Sequence, residues 1–287
     1  MQTATTLEVL RSAVDALRGD GRKLALVPTM GALHEGHLTL VREARQHADA
    51  VAVSIFVNPK QFGPNEDLAA YPRTFAEDCR LLEADGVELL WAPAVEAMYP
   101  PGFATNIAVA GVSKGFCGAA RPGHFDGVAT VVCKLFNQVR PDVALFGEKD
   151  WQQLAVIRRM ARDLDLVRPH VDSIVGVPTV READGLALSS RNRYLSPEAR
   201  AQAAALPQAM RQAIAALVAG SAAAPTIAAL EAHLMQAGFD SVDYAGLADA
   251  GSLARLDTLG EGDTRLLVAA RIGGTRLIDN MAVAQPH

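Results

Sequence analysis

His34 and His37 stand three residues apart, just after the apolar run 23–31, and they could act on a phosphate. The run predicts a buried strand, and the pattern after it predicts a helix that begins near the histidines. The first turn of such a helix presents unpaired N–H groups and a positive partial charge, which favour a phosphate. Gly31 and Gly36 lack side chains that would keep a bulky anion away. We therefore predict a nucleotide site; a structural histidine pair and a zinc site are the alternatives.

A lysine lies at a second position where a strand is expected to end. The segment Gly147-Glu148-Lys149-Asp150 directly follows the apolar residues 143–146. Because the carboxyl ends of parallel strands meet at one edge of a sheet, we expect Lys149 to lie beside the histidine corner. The helix dipole disfavours a cation at this end, so a bound polyphosphate would explain the lysine. An exposed lysine without a ligand is the alternative.

Three further segments carry hydroxyl, guanidinium and amide groups. Leu188-Ser189-Ser190-Arg191 supplies groups that suit phosphate oxygens, although a polar linker has the same composition. Asn58 and Gln61 follow another apolar run, and Gln153 lies close to Lys149 in sequence. These amides suit a small polar substrate, although glutamine is more often a surface residue.

Composition predicts a globular protein with two domains. The chain has 287 residues, of which 50% are hydrophobic and 21% are charged. The formal net charge of -5 and the scattered arginines argue against a nucleic-acid partner. The three cysteines lack metal-type spacing and indicate a reducing compartment. The sequence has neither an N-terminal leader pattern nor a membrane-spanning apolar run, so we expect a cytoplasmic protein without a membrane partner.

The elements that would position these residues alternate along the chain. Short apolar runs alternate with helical patterns, which predicts an α/β fold with a parallel sheet flanked by helices. We expect five parallel strands, at 24–27, 51–57, 87–91, 143–146 and 171–175. Helices are expected at 37–47, between Thr74 and Gly86, at 128–139 and at 151–164. The proline- and glycine-rich segment 93–123 predicts a functional loop.

The pattern changes near residue 178. Helices are expected at 197–218 and 227–237, with a linker at 220–225 between them. Strands are expected at 242–247, 265–270 and 276–278, and Gly273-Gly274 predicts a hairpin turn between the last two. We therefore expect a nucleotide- and substrate-binding domain at 1–177 and a smaller α+β domain at 178–287.

Six segments together resemble the pantoate-beta-alanine ligases, a family of the HIGH-motif nucleotidyltransferase superfamily. The segments are PTMGALHEGH (28–37), FVNPKQF (56–62), YPRT (71–74), RPGHF (121–125), FGEKDWQQ (146–153) and LSSRN (188–192). Their combination in this order is specific to the enzyme family rather than to a fold.

This resemblance implies a Rossmann-like N-terminal domain, a C-terminal lid domain and usually a homodimer. It implies the ATP-dependent condensation of (R)-pantoate with beta-alanine, which releases AMP and diphosphate and passes through a pantoyl adenylate. ATP is then a substrate and Mg²⁺ accompanies it. The expected partners are small molecules.

The resemblance also assigns roles to residues. It implies His37 as the catalytic proton donor, His34 as its companion on the phosphates, and Lys149 and Arg191 as further catalytic residues. The implied ATP contacts are Met30, Gly31, Ala32, Leu33, His34, Glu35, Gly36, His37, Gly147, Glu148, Lys149, Asp150, Val180, Leu188, Ser189, Ser190 and Arg191. The implied contacts of pantoate and beta-alanine are Gln61, Gln153, Asn58 and Arg121, and the candidate magnesium ligands are Glu77 and Asp78.

Overall fold

Parallel strands form a six-stranded sheet within residues 2–177. The structure, a computed structural model, describes residues 1–64, 66–260 and 262–283. The strands are β1 (Gln2–Ala4), β2 (Leu24–Thr29), β3 (Ala50–Ile55), β4 (Leu89–Trp91), β5 (Val143–Gly147) and β6 (Ile174–Val177). Their spatial order is β1-β4-β3-β2-β5-β6, and every neighbouring pair is parallel. The predicted parallel sheet is confirmed.

The central strands are apolar along most of their length. Residues 24–27 of β2 and 50–53 of β3 have no exposed surface, which is typical of parallel strands covered on both faces. The Asp142 carboxylate, just before β5, accepts a hydrogen bond from the N–H of Leu24 at 2.9 Å and one from Arg18 at 2.7 Å. These bonds join the amino ends of β2 and β5.

β1 and β6 differ most from the sequence prediction, while β3 ends two residues before its predicted end and β4 begins two residues after its predicted start. β1 is an additional sixth strand, and its three residues are too few to show an apolar pattern. β6 begins at Ile174 rather than at Val171, because a short 3-10 helix occupies Val171–Ser173. The Nδ1 of His170 caps that turn by accepting a hydrogen bond from the N–H of Asp172 at 3.3 Å.

Seven α-helices precede residue 164 in the described part of the chain. They are α1 (Leu7–Leu17), α2 (Glu35–Ala44), α3 (Phe75–Ala84), α4 (Val95–Met98), α5 (Phe116–Ala120), α6 (His124–Val139) and α7 (Trp151–Asp163). α1 was not predicted, and α4 and α5 lie within the predicted loop 93–123. α6 begins four residues before the predicted start, after Gly123 turns the chain with φ at +81°.

The C-terminal part forms an antiparallel sheet with three helices. The helices are α8 (Pro197–Ala203), α9 (Ala205–Val218) and α10 (Ala223–Gln236), and the strands are β7 (Ser241–Asp249), β8 (Arg255–Leu256), β9 (Thr264–Ile272) and β10 (Thr275–Val283). Their spatial order is β10-β9-β7-β8. Gly273 and Gly274, with φ at +54° and +75°, form the turn between β9 and β10, so the predicted hairpin is confirmed. The single helix predicted at 197–218 was wrong, since Ala204 separates α8 from α9.

The chain separates into two compact units. The first contains Met1–Ala110, Arg121–Glu148 and Val156–Pro178, and the second contains Gly111–Ala120, Lys149–Ala155 and the described part of the chain from Thr179. Each unit has an apolar core: Val27, Val53 and Leu145 belong to the first, and Met210 and Val268 to the second. None of the helices in the described ranges has the length and apolar character needed to cross a membrane.

Candidate active site

The two histidines close the first turn of α2. His34 is the N-cap residue, and its Nδ1 accepts a hydrogen bond from the N–H of Gly36 at 3.2 Å. The Nδ1 of His37 accepts a hydrogen bond from the N–H of His34 at 3.4 Å. The pair therefore forms a capping box in which both capping side chains are imidazoles, with ring centroids 4.1 Å apart. The predicted position of both histidines at a helix start is confirmed.

These bonds determine which nitrogen of each ring carries the proton. A backbone N–H can only donate, so the Nδ1 of each ring is the acceptor. In the neutral imidazole the proton is then on Nε2. His34 and His37 each carry an Nε2–H donor, which is the polarity needed to stabilise negative charge that develops on a phosphate oxygen.

The loop between β2 and α2 is held by the carboxylate of Asp78 on α3. Asp78 is 1% exposed, and it accepts hydrogen bonds from the N–H of Ala32 at 3.0 Å and of Leu33 at 2.9 Å. Gly31 adopts φ at +81°, and a Cβ there would lie 3.0 Å from Oδ2 of Asp78. Gly31 therefore permits the close approach of this carboxylate.

Glu77 and Asp78 do not fit a magnesium site. Asp78 also accepts a hydrogen bond from the Thr74 hydroxyl at 3.1 Å, so three donors share its two oxygens. Glu77 is paired with Arg80 on the protein surface, with Oε2 2.9 Å from Nε. Within the described ranges, no group of three or more His, Cys, Asp or Glu side chains is arranged for a metal ion.

The Gln61 side chain lies beside Met30 in the first unit. Gln61 belongs to a 3-10 helix, Pro59–Gln61, that follows β3, and it is 9% exposed. Its Oε1 accepts a hydrogen bond from Nδ2 of Asn58 at 3.0 Å, and its Nε2 donates to Sδ of Met30 at 3.1 Å. Asn58 thereby fixes the orientation of the Gln61 amide, so that Nε2 of Gln61 faces the loop that precedes α2.

Asn58 is almost completely buried and its amide is fully engaged. Its Nδ2 also donates to the carbonyl of Gly127 at 3.1 Å. Its Oδ1 accepts hydrogen bonds from the N–H of Lys60 at 3.2 Å and from the hydroxyl of Tyr99 at 2.8 Å. Burial raises the pKa of Tyr99, so this phenol stays protonated as the donor. Asn58 thus positions Gln61.

Gly127 allows α6 to approach the 3-10 helix at van der Waals distance. A Cβ at this position would lie 2.3 Å from the carbonyl oxygen of Lys60 and 2.7 Å from the backbone nitrogen of Gln61. These neighbours are backbone atoms, which cannot move aside as a flexible side chain can. The absence of a side chain at Gly127 therefore sets the position of the Gln61 backbone.

Arg121 is paired with an acidic residue of the same unit. Its Nε and Nη2 donate to the carboxylate of Glu66 at 2.7 and 2.5 Å. Burial alone would raise the pKa of Glu66, but the hydrogen bonds and charge of Arg121 lower it below its ordinary value. Arg121 also contacts His124 and the carbonyl oxygen of Gln61, at 3.0 and 3.3 Å.

Lys149 lies in the second unit, in a 3-10 helix spanning Glu148–Asp150 that leads into α7. Its Nζ lies 3.8 Å from the carboxylate of Asp150. Its carbonyl oxygen accepts a hydrogen bond from Nδ2 of Asn280 on β10 at 2.9 Å. Arg265 donates to Oδ1 of the same asparagine and stacks 3.4 Å from the ring centroid of Trp151. These contacts hold the Lys149 backbone to the antiparallel sheet.

Val180 and the segment 188–191 are neighbours in the second unit. The N–H of Leu188 donates to the carbonyl of Val180 at 3.0 Å, so these two predicted ATP contacts lie side by side. The Ser189 hydroxyl caps a 3-10 helix, Ser190–Tyr194, by accepting from the N–H of Arg191 at 3.3 Å. That Val180 and residues 188–191 bind the same ATP molecule as His34 and His37 stays a prediction.

Gln152 on α7 has a role that the sequence did not indicate. Its Oε1 accepts a hydrogen bond from the N–H of Cys117 at 3.0 Å, and its Nε2 lies 3.1 to 3.3 Å from the carbonyls of Val112, Lys114 and Gly115. Gln152 therefore ties down the segment before α5. The neighbouring Gln153, the predicted pantoate contact, is half-buried on the same helix.

A family model described as pantoate-beta-alanine ligase matches residues 2–282. The chain belongs to the pantoate-beta-alanine ligase family. It is 69% identical over 283 residues to the pantothenate synthetase of Novosphingobium aromaticivorans, with 99% of each chain covered. It is 62% identical to the pantothenate synthetase of Sphingopyxis alaskensis, with 99% of this chain and 100% of the relative covered.

Solved structures of the family share the fold. A crystal structure of pantothenate synthetase from Thermus thermophilus is 47% identical, covers 100% of both chains and has a TM-score of 0.91. A pantoate-beta-alanine ligase from Francisella tularensis, solved with beta-gamma ATP and beta-alanine, is 32% identical with a TM-score of 0.82, and covers 98% of this chain and 97% of that one.

Several residues hold the motifs in place through hydrogen bonds or close packing. No sequence pattern indicated these holding roles, which belong to Asp78, Tyr99, His124, Gly127, Gln152, Arg265 and Asn280. His124 lies within the RPGHF segment and Gln152 within FGEKDWQQ, so two of the motifs carry holding residues beside the predicted ones.

Proposed function

We propose that the chain catalyses the ATP-dependent condensation of (R)-pantoate with beta-alanine, releasing pantothenate, AMP and diphosphate. The family match over residues 2–282 carries this proposal. The histidine capping box and the oriented Gln61 amide support it, because they provide phosphate donors and a small polar site within one unit.

In the first step the pantoate carboxylate attacks the α-phosphorus of ATP, which forms pantoyl adenylate and expels diphosphate. The attacking oxygen and the phosphate are both anionic, so donors must stabilise the charge that develops. We assign this role to the Nε2–H groups of His34 and His37 and to the cations of Lys149 and Arg191. Loss of one such donor commonly costs about 3–4 kcal/mol of transition-state stabilisation.

We assign Gln61 to the binding of pantoate and beta-alanine. Its Oε1 is engaged by Asn58 and one of its Nε2–H groups by the sulfur of Met30, so we assign the second Nε2–H to a substrate oxygen. Holding the carboxylate in line with the phosphorus contributes up to about 7–11 kcal/mol through orientation. Gln153 is proposed as a second contact of pantoate.

In the second step the neutral amine of beta-alanine attacks the acyl carbon and AMP leaves. An alkyl ammonium has a pKa near 10, so the amine must lose a proton before it attacks. Water must also be excluded, because it would hydrolyse the acyl adenylate. We propose the segment 93–123 and the domain 178–287 as the parts that exclude it.

Mg²⁺ is proposed as a companion of the ATP phosphates, with no protein ligand and no step assigned to it. We also propose a homodimer, as the family resemblance implies, and a cytoplasmic location, which the cysteine pattern favours. Sedimentation analysis of the purified chain tests the dimer.

An AMP-release assay with each substrate omitted in turn tests the function. We expect release only when ATP, pantoate and beta-alanine are all present, and isotope exchange between diphosphate and ATP that depends on pantoate. Exchange that ignores pantoate would contradict the proposal and favour a different nucleotidyltransferase.

Single-turnover adenylate formation tests the assigned donors. His37→Ala and Lys149→Ala should each slow this step by about 10²–10³-fold. His47→Gln, at an exposed histidine paired with Glu43, is the control and should match the parent chain. Parent-like rates in both test variants would refute the assignment.

A further inference from the structure

The sequence Arg121-Pro122-Gly123-His124 forms a tight turn that places two side chains together. The N–H of His124 donates to the carbonyl of Arg121 at 3.1 Å, and Gly123 has φ at +81° and ψ at −10°. Proline at the second position and glycine in the left-handed region at the third are typical of a type II turn. The turn brings the Arg121 guanidinium to 3.0 Å from Nε2 of His124.

The hydrogen-bond partners of the two ring nitrogens of His124 determine which nitrogen carries the proton. Nε2 faces Nη1 of Arg121, which can only donate, so Nε2 is the acceptor. Nδ1 faces the carbonyl oxygen of Gln61 at 2.8 Å, which can only accept, so Nδ1 carries the proton. His124 is therefore a neutral Nδ1–H donor to the Gln61 backbone, and it is 9% exposed.

Glu66 balances the charge of Arg121 at this place. Its carboxylate binds two guanidinium nitrogens side by side, at 2.7 and 2.5 Å. This bidentate pair fixes the plane of the guanidinium, which leaves Nη1 toward His124 and Nη2 toward the carbonyl oxygen of Gln61. In the cluster defined by Glu66, Arg121 and His124, two donors bind the carbonyl oxygen of Gln61: Nη2 of Arg121 and Nδ1 of His124.

We propose that Glu66, Arg121 and His124 are positioning residues, which fix the Gln61 backbone so that its side-chain amide meets the small substrates. The inference rests on the proposed function and goes beyond it, because it places Arg121 behind Gln61 rather than on pantoate. His124 makes the decisive bond, and Arg121 holds the orientation of the His124 ring through Nε2.

Two amide substitutions separate the two hydrogen bonds of the ring. His124→Asn places an amide nitrogen near the former Nδ1 and can keep the bond to Gln61. His124→Gln places its amide near the former Nε2 and can keep the bond to Arg121. We expect His124→Gln to raise the KM of pantoate about tenfold, with the KM of ATP changed less than about twofold, and His124→Asn to restore most of the loss.

Arg121→Gln should raise the KM of pantoate by a similar factor, with kcat for bound substrates nearly unchanged. The control His47→Gln should leave all three KM values unchanged. Equal damage from His124→Asn and His124→Gln would overturn the inference. A raised KM in Arg121→Gln with none in His124→Gln would also overturn it, since Arg121 would then touch the substrate itself.

A measurement on the tautomer keeps the test independent of activity. In ¹⁵N spectra of the histidine rings, His124 of the parent chain should show a protonated Nδ1 and an unprotonated Nε2. Arg121→Gln should weaken this preference without reversing it, because the carbonyl oxygen of Gln61 still requires the proton on Nδ1. An Nε2–H tautomer in the parent chain would overturn the inference even if every variant unfolded. If the parent chain lacks ligase activity but shows the Nδ1–H tautomer, the proposed function fails and the bond network stands.

Discussion

Substitution of Gly127 by alanine should displace Gln61 and destabilise the first unit. The added Cβ would lie 2.3 Å from the carbonyl oxygen of Lys60, whereas Cβ contacts below 3.0 Å are essentially never found, so the backbones must separate by at least about 0.7 Å. Overpacking of this kind costs about 1–3 kcal/mol. Replacing a helical glycine by alanine stabilises a helix by about 0.5–1 kcal/mol, which is less than the cost of overpacking, so we expect a net loss of stability.

The same separation should reduce catalysis. A misplacement of about 1 Å in a substrate-positioning group can cost about 10²-fold in rate, so we expect kcat/KM for pantoate to fall by tenfold or more. The KM of ATP should change less, because the capping bonds of His34 and His37 lie within the first turn of α2. Thermal melting and steady-state kinetics measure the two effects, and each kcal/mol should lower Tm by about 2–4 °C.

Gly19→Ala is the matched control for this experiment. A Cβ at Gly19 would meet no atom within 4 Å. Gly19→Ala should therefore leave Tm and kinetics at the parent values or slightly raise Tm. If Gly127→Ala matched this control in both Tm and kcat/KM, the inference that Gly127 sets the Gln61 backbone would be wrong.

Two further substitutions test carboxylates of the first unit. Asp78→Asn should lower the free energy of unfolding by about 1–3 kcal/mol, because the buried N–H groups of the loop before α2 lose an acceptor. Glu77→Gln is the control on the protein surface and should lower the free energy of unfolding by less than about 0.5 kcal/mol. Recovery of Asp78→Asn activity by added Mg²⁺ would show instead that Asp78 is a metal ligand. Asp142 is the second carboxylate. Burial alone would raise its pKa, but two hydrogen bonds, from Arg18 and from the N–H of Leu24, together with the charge of Arg18, lower the pKa overall. Because the folded pKa is depressed, the stabilisation is present above the unfolded pKa near 3.9 and is lost as pH falls through the folded pKa. The stability difference between the parent chain and Asp142→Asn should therefore shrink below about pH 4, measured by urea unfolding, and a difference independent of pH would contradict the assignment.

The sheet and the histidine corner could be predicted because their signals are local. β2, β3 and β5 are continuous apolar runs, which identify buried parallel strands without reference to any partner. His34 and His37 close a turn with bonds that span two or three residues, so their spacing alone indicates the geometry. β1 has only three residues and pairs with a strand 87 positions away, and so it gave no local pattern.

The residues that hold the candidate site could not be predicted, because their partners are distant in the chain. Gln61 contacts Met30, Arg121 and His124, which lie 31, 60 and 63 positions away. No periodicity within one element encodes such contacts, and they exist only after α6 packs against the 3-10 helix at Gly127. The position and orientation of Gln61 are therefore set by tertiary packing. If Gln61 binds pantoate as proposed, substitutions in the turn before α6 should change the KM of pantoate and leave unchanged the role proposed for His37 in adenylate formation.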